Sequence, residues 1–179
     1  MTKTQYYVAS SLDGFIADRE GGLEWLMQFG FEEFGTGYEA FLAEVGVVVM
    51  GSATYEFVLR DSPDAWAYPE QVNWVLSSRP LPVVPGGDIR FARGDVAELH
   101  PHWVEAAAGK NIWIVGGGAV AAQVADAGLL DEILLTTMPV VLGAGTPLLP
   151  LTSVSGVYDV SGTTVYPSGA IGSVYRTRR

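Results

Sequence analysis

The sequence contains no cysteine. That absence removes disulfides, thiolate-ligated zinc and a cysteine nucleophile, so any redox chemistry must use a borrowed group. Basic residues are scarce as well: ten Lys and Arg stand against twenty Asp and Glu, a formal net charge of −10. Nucleic acid and anionic membranes demand clustered cations, and neither is expected as a partner. The one basic cluster, Arg176, Arg178 and Arg179, reads as a solvated terminus. Long apolar runs are missing too. No stretch approaches the roughly 18 apolar residues needed to span a bilayer, and Met1 to Val8 has no signal-peptide core. A soluble cytoplasmic protein is expected. His100 and His102 lie beside a helix start with no third ligand at useful spacing, which falls short of a metal site. No Gly-x-Ser-x-Gly nucleophile elbow occurs either.

What is present is apolar sequence in short pieces. With 179 residues, 49 % of them hydrophobic, the chain can bury one core, and a single domain over residues 1–179 is expected. Apolar runs alternate with amphipathic segments, the pattern of an α/β fold with a largely parallel sheet. Strands are predicted at Gln5 to Ser10, Val47 to Met50, Val72 to Leu76, Ile89 to Ala92, the run from Asn111 and Glu132 to Thr137. Phe41, Leu42 and Val45 give a helix from Tyr38 one apolar face, with Gly46 as its stop. A short helix opens at Gly51-Ser52, Asp95 with Glu98 forms a capping-box pattern, and another helix runs from Ala119 to Ala127. Val157 to Val165 and Ala170 to Arg176 alternate about Tyr166-Pro167-Ser168-Gly169, which predicts an antiparallel hairpin at a sheet edge.

The most informative stretch is Asn111-Ile112-Trp113-Ile114-Val115-Gly116-Gly117-Gly118-Ala119-Val120, a strand emptying through three glycines into a helix. Such a turn lets backbone approach a phosphate closely while the helix directs N–H groups and its positive end at the anion. Gly116, Gly118 and Ala121 fit the dinucleotide fingerprint, yet Asp131 and Glu132 precede the next strand instead of ending it, as a Rossmann unit requires. A plain tight turn is the alternative. Two further strand ends carry small residues, Gly51-Ser52-Ala53-Thr54 and Ser77-Ser78-Arg79. In a parallel sheet all three share one edge, where a single extended dinucleotide can touch them.

The succession Ala9-Ser10-Ser11-Leu12-Asp13-Gly14-Phe15-Ile16-Ala17, Leu23-Glu24-Trp25, Met50-Gly51-Ser52-Ala53-Thr54-Tyr55-Glu56, Leu76-Ser77-Ser78, Val115-Gly116-Gly117-Gly118 and Leu130-Asp131-Glu132 through Gly145 resembles the dihydrofolate-reductase superfamily. More closely it resembles the reductase domain of bifunctional riboflavin-biosynthesis proteins and their stand-alone relatives. The resemblance covers nearly the whole chain. It implies a three-layer α/β/α sandwich with a mostly parallel central sheet, a C-terminal antiparallel hairpin, NADPH as cofactor and a homodimer. By position, Ala9 and Ile16 would offer backbone groups to the nicotinamide carboxamide. Gly51, Ser52, Ala53 and Thr54 would hold the diphosphate from one helix start; Val115, Gly116, Gly117, Gly118, Ala119 and Val120 would hold it from the other. Ser77 and Ser78 would flank the adenosine phosphate. The family's Arg after Met-Gly is Ser52 here, so Arg79 is the candidate cation for a 2′-phosphate.

Hydride transfer to a heterocycle also needs a proton source. Asp13, in the Ser-Leu-Asp-Gly turn, is the candidate for catalysis and substrate contact, or else a turn residue satisfying backbone. Trp25 is expected at the pocket edge, as ligand contact or as packing, and Thr136 is placed to hydrogen-bond a pyrimidine- or pterin-like ring. Dihydrofolate reductases carry an acid on the helix after the Trp25-like position. No clean equivalent stands around Gly35 to Tyr38, only Glu32 and Glu33 nearby. The resemblance thus implies an NADPH-dependent reductase of the riboflavin pathway acting on a phosphoribosylamino-pyrimidine or related small heterocycle. Dihydrofolate reduction and a non-catalytic NADPH-binding protein are the alternatives, with a flavin or deazaflavin in place of NADPH a smaller one.

Overall fold

Val47, Val48, Val49 and Met50 are all fully buried, a condition a strand meets only when both of its faces are covered. In the computed structural model, which describes residues 1–178 and leaves Arg179 outside the described residues, that strand is the middle of a large sheet. In chain order the elements are β1 (Thr4–Ser10), β2 (Phe15–Ala17), α1 (Glu24–Met27), α2 (Gly35–Ala43), β3 (Val45–Gly51), α3 (Ser52–Asp61), β4 (Val72–Leu76) and β5 (Asp88–Ala92). They continue with α4 (Val96–Ala106), β6 (Asn111–Ile114), α5 (Gly118–Asp126), β7 (Glu132–Thr137), β8 (Thr146–Pro147), β9 (Tyr158–Val165) and β10 (Ile171–Thr177).

The main sheet has eight strands in the order β5-β4-β3-β6-β1-β7-β10-β9. Neighbours from β5 to β7 pair in parallel, and β10 runs antiparallel to β7 and β9. Side chains alternate between two cores. Val47, Val49, Ile112 and Ile114 pack with Val96 and Trp103 of α4 and with Val120, Ala121 and Val124 of α5. Val48, Met50 and Trp113 pack on the other face with Phe41 of α2 and with Tyr55 and Val58 of α3. This is the expected three-layer α/β/α, dihydrofolate-reductase-like sandwich with its C-terminal antiparallel hairpin. The hairpin closes as the turn residues require: the Gly169 N–H donates to the Tyr166 carbonyl at 2.9 Å, and Gly169 takes a φ of +86°.

Three details depart from the sequence expectation, and the Asp95 cap meets it. Gly46 does not stop a helix; β3 already begins at Val45, and the pairing with β6 shifts register between Val45 and Val47. A Cβ on Gly46 would lie 2.5 Å from the Ala107 carbonyl oxygen, so glycine is there for close approach. The helix α2 starts three residues earlier than Tyr38 because Gly35 and Gly37 disguise its first turn. Asp95 caps α4 by accepting from the Ala97 N–H at 2.7 Å. A two-stranded sheet of β2 and β8, too short for periodicity to reveal, completes the fold. Among the described residues no helix is long and apolar enough to cross a membrane.

Charge is gathered at the amino-terminal edge of the parallel strands. Glu132, only 4 % exposed, accepts from Lys3 Nζ at 2.9 Å, Gln5 Nε2 at 2.7 Å and Arg176 Nε at 2.7 Å. Burial pushes its carboxyl upward, but the three donors outweigh burial and hold it below its ordinary value. A depressed folded value stabilises the fold above the unfolded carboxylate range, and that contribution is lost as pH falls through the folded value. His100, on α4 at the same edge, pairs through Nε2 with Thr4 Oγ1 at 2.8 Å. Burial lowers its basicity against the pull of Asp131. Glu132→Gln is expected to reduce stability at pH 7 by about 2 kcal/mol, with the deficit shrinking below the carboxylate range. Urea unfolding of both proteins across pH 3 to 8 measures the difference.

Candidate active site

β3 and β6 are hydrogen-bonded neighbours, but the helices that follow them leave for opposite faces: α3 packs into one core and α5 into the other. At such a divergence the carboxyl ends of the strands open into a crevice. Both helices start there without a side-chain cap, α3 after Gly51 and α5 after Gly117, whereas α4, away from the crevice, has its Asp95 cap. Two helix N-termini thus direct N–H groups at one place. β4 lies beside β3 and ends at Leu76, so Ser77 and Ser78 extend the same rim. The sequence expectation that Gly51, Ser77 and Gly116 share an edge matches this geometry.

The glycine turn is held from both sides. Gly116 has a φ of +74°, and a Cβ there would lie 2.5 Å from Thr54 Oγ1. Thr54 Oγ1 accepts from the Gly117 N–H at 3.1 Å, tying α3 to the start of α5. The buried Tyr6 hydroxyl lies 3.0 Å from the Gly116 carbonyl oxygen and 3.1 Å from that of Leu148. A side chain on Gly118 would strike the carbonyls of Pro147 and Leu148. Ser52 and Gly117 are half-buried and Ala53 and Ala119 exposed, while the side chains of Val115 and Val120 belong to the cores.

Beyond the crevice, across β1, lies a cleft of about 430 Å³. β1 contributes Tyr7 and Ala9, β6 contributes Trp113, and β7 contributes Thr136, followed by Met138. Its far wall is Leu26, Phe31 and Phe34, with Gly35 and Tyr38 from the first turn of α2. The rings of Tyr7, Tyr38 and Trp113 lie 6.0 to 6.2 Å apart. Burial raises the phenol of Tyr7, with help from Tyr166 and Tyr38, and burial alone raises that of Tyr38. Both therefore stay protonated at neutral pH.

Ala9 and Thr136 line this cleft side by side in the register of β1 with β7. Ile16 is half-buried on β2, whose partner β8 passes the Gly118 backbone. Of the two expectations for Trp25, the geometry supports packing: it is 8 % exposed and packs on Met138 and Ala170, while its neighbour Leu26 faces the cleft. Asp13 is held as a hydrogen-bond acceptor. Its carboxylate accepts from Ser11 Oγ at 2.6 Å, Leu142 N–H at 3.0 Å and Gly143 N–H at 2.7 Å. Those bonds, that of Ser11 foremost, hold it below its ordinary value and therefore ionised. The turn reading of Asp13 is the one the geometry supports, applied to a distant loop as well as to its own backbone. Arg79 is exposed and donates to Glu56 Oε2 at 2.7 Å, and its N–H bonds Ser77 Oγ at 3.1 Å. Sequence reasoning passed over Tyr7, Tyr38 and Trp113 as core; the two-residue spacing of Tyr7 and Ala9 was the available signal. It also passed over Arg93, which follows β5 at the same rim, one strand out from Ser77.

The model of the RibD C-terminal domain matches residues 103–167, from α4 through the glycine turn to the hairpin. YwjB of Bacillus subtilis (strain 168), an uncharacterized protein, is 35 % identical over 150 residues, 82 % of each chain. This chain belongs to the RibD C-terminal domain family. A Shewanella sp. PV-4 protein whose name refers to riboflavin biosynthesis has a crystal structure that superposes on this RibD-type chain with a TM-score of 0.86 at 28 % identity, covering 99 % of this chain and 100 % of the other. Dihydrofolate reductase from Enterococcus faecalis, solved in complex with NADP(H) and RAB-propyl, superposes at a TM-score of 0.66 and 18 % identity over 97 % and 95 % of the two chains. That likeness establishes the fold.

Gly116→Ala tests the turn. A non-glycine residue with left-handed backbone costs about 1–2 kcal/mol, and the contact with Thr54 adds to it. A loss of at least ~2 kcal/mol in urea unfolding is expected, with Gly128→Ala, left-handed but in open space, losing less.

Proposed function

We propose that this RibD-type oxidoreductase is an NADPH-dependent reductase of a pyrimidine- or pterin-like ring. The observation that carries the proposal is the crevice between the uncapped starts of α3 and α5, with the aromatic cleft next to it across β1. The residues fit the cofactor chemically. Gly51 and Gly117 put no side chain over the two helix starts, Gly116 and Gly118 let the turn pack closely on Thr54 and on the Pro147 and Leu148 carbonyls, and two positive helix ends suit a diphosphate. In this reading Gly51 to Thr54 and Gly116 to Val120 hold the diphosphate. Ser77, Ser78 and Arg79 hold the adenosine phosphate, and Ala9 and Ile16 orient the nicotinamide. The chemistry supplied by the bound cofactor is hydride donation from nicotinamide C4.

The chain's own part is position and protonation. Apolar walls exclude water around the reacting ring, and Thr136 is the hydrogen-bonding group at the floor of the cleft. A proton at neutral pH comes from a phenol of Tyr7 or Tyr38 or from water, because Asp13 is already ionised. Dihydrofolate reduction is the weaker reading. The first turn of α2 presents Gly35 and Tyr38 to the cleft, with no acid.

Titration with NADPH and NADH, followed by tryptophan fluorescence, tests the cofactor. NADPH is expected to bind the more tightly; binding of neither overturns the proposal, and binding of NADPH without turnover on any ring makes the chain a nucleotide-binding protein. Because Glu56 engages one Nη of Arg79 and leaves the other donors of the guanidinium, Arg79→Ala is expected to weaken NADPH roughly tenfold and to leave NADH unchanged. Asp13→Asn is expected to lower thermal stability, since an amide NH₂ must then face an N–H donor, while the acidic limb of the pH–rate profile stays in place. A displaced limb would restore Asp13 as the proton donor.

A further inference from the structure

We infer that the substrate cleft selects an uncharged flat ring and rejects phosphorylated or carboxylated forms of the same ring, an inference that rests on the proposed reductase reading. This departs from the phosphoribosyl substrate that the family resemblance implies. Among the described residues, no Lys, Arg, His, Asp or Glu lines the cleft. The polar groups at hand are the hydroxyls of Thr136, Tyr7 and Tyr38, which suit ring nitrogens and carbonyls. The rings of Tyr7, Tyr38 and Trp113 supply faces and edges for a planar partner. A volume near 430 Å³ is in the range of small-molecule sites.

Among the described residues, the basic side chains lie away from the cleft lining. Lys3 and Arg176 serve Glu132 at the opposite edge of the sheet. Arg90 pairs with Asp88, and Arg178 with Asp159. Lys110 Nζ donates to the Ala43 carbonyl. Arg79 and Arg93 follow β4 and β5, three and four strands from β1, or about 14 and 19 Å at the usual strand spacing. Arg60 lines a separate hollow with Asp18, Glu20, Glu24 and Asp61, and Arg19 is exposed on the turn after β2. The acid beside the cleft wall, Glu33, adds negative charge next to Phe34 and is bonded to the Ser168 N–H at 3.2 Å. An anionic substituent entering this cleft would be desolvated with no counter-charge, in a chain whose net charge is −10.

Two matched pairs test the inference by isothermal titration calorimetry, with and without saturating NADPH: riboflavin against FMN, which differ by one phosphate, and pterin against pterin-6-carboxylate, which differ by one carboxylate. The neutral member of at least one pair is expected to bind tenfold or more tightly than its charged partner. Gly35 lines the cleft, and a Cβ there meets nothing within 4 Å, so charge can be introduced without crowding. Gly35→Lys is expected to narrow the riboflavin-to-FMN ratio at least threefold, and Gly35→Glu to widen it. The inference is overturned by equal or tighter binding of both charged members, by failure of all four probes to bind, or by a ratio indifferent to charge at position 35. NADPH binding without ring discrimination removes this inference and leaves the cofactor reading; discrimination in a protein that ignores NADPH does the reverse.

Discussion

Two adjacent parallel strands, β3 and β6, send their chains to opposite sides of the sheet, and the contact between Thr54 and the Gly116-Gly117 backbone is where the two departures meet. Separate that contact and the helix starts no longer face one crevice. Nothing larger than hydrogen fits at Gly116, because the threonine that binds the neighbouring N–H occupies the space. The Tyr6 hydroxyl fixes the same turn from beneath and ties it to Leu148, so the loop carrying β8 shares the register of the glycines. The positions of Ile16 on β2 and of Gly118 on α5 follow from that one junction.

The two edges of the sheet divide the work of the molecule. At the amino-terminal edge, Glu132 is buried and fully paired with Lys3, Gln5 and Arg176, an arrangement that closes the end of the core. At the carboxyl-terminal edge the charges thin out. The crevice is lined by backbone and small side chains, and the cleft by aromatic rings whose phenols stay neutral. Asp13 illustrates the rule by its exception. It is the acid that the sequence offers for the site, and its oxygens accept from the Leu142 and Gly143 backbone.

The parallel strands were legible in the sequence because strands buried on both faces must be apolar throughout, and Val47 to Met50 can be little else. The hairpin was legible because Gly169 and Pro167 leave few other conformations. The glycine crevice was legible as a coincidence of three strand ends, although their adjacency needed the sheet order. Glycines were also the main source of error. Gly46 reads as a helix stop and serves as a bulge against Ala107, while Gly35 and Gly37 read as loop and lie in α2. Roles set by distant partners were hidden: Asp13 is defined by Leu142, 129 residues away, and Arg79 by Glu56, 23 residues before it. Trp25 and Leu26 differ by one step in the chain, and only the packing of Met138 decides which of them faces the cleft.

A chain with twice as many acids as bases is an unpromising host for a polyanion only if anion binding is equated with lysine and arginine. Peptide N–H groups carry no formal charge and do not enter the net total of −10, yet two helix starts aligned on one point present partial positive charge at short range. Exposed acids such as Asp88 and Asp159 sit elsewhere on the surface, where solvent and salt screen them over about 8–10 Å. Capture by backbone demands that the backbone be bare, hence glycines, and that the helices go uncapped, hence Gly51 and Gly117 where α4 has aspartate. A chain that places its attraction for anions in the backbone is then at liberty to keep its substrate cleft free of cations. In the proposed reading, the same economy of charge that suits a diphosphate at the crevice would leave a phosphorylated ring without a partner in the cleft beside it.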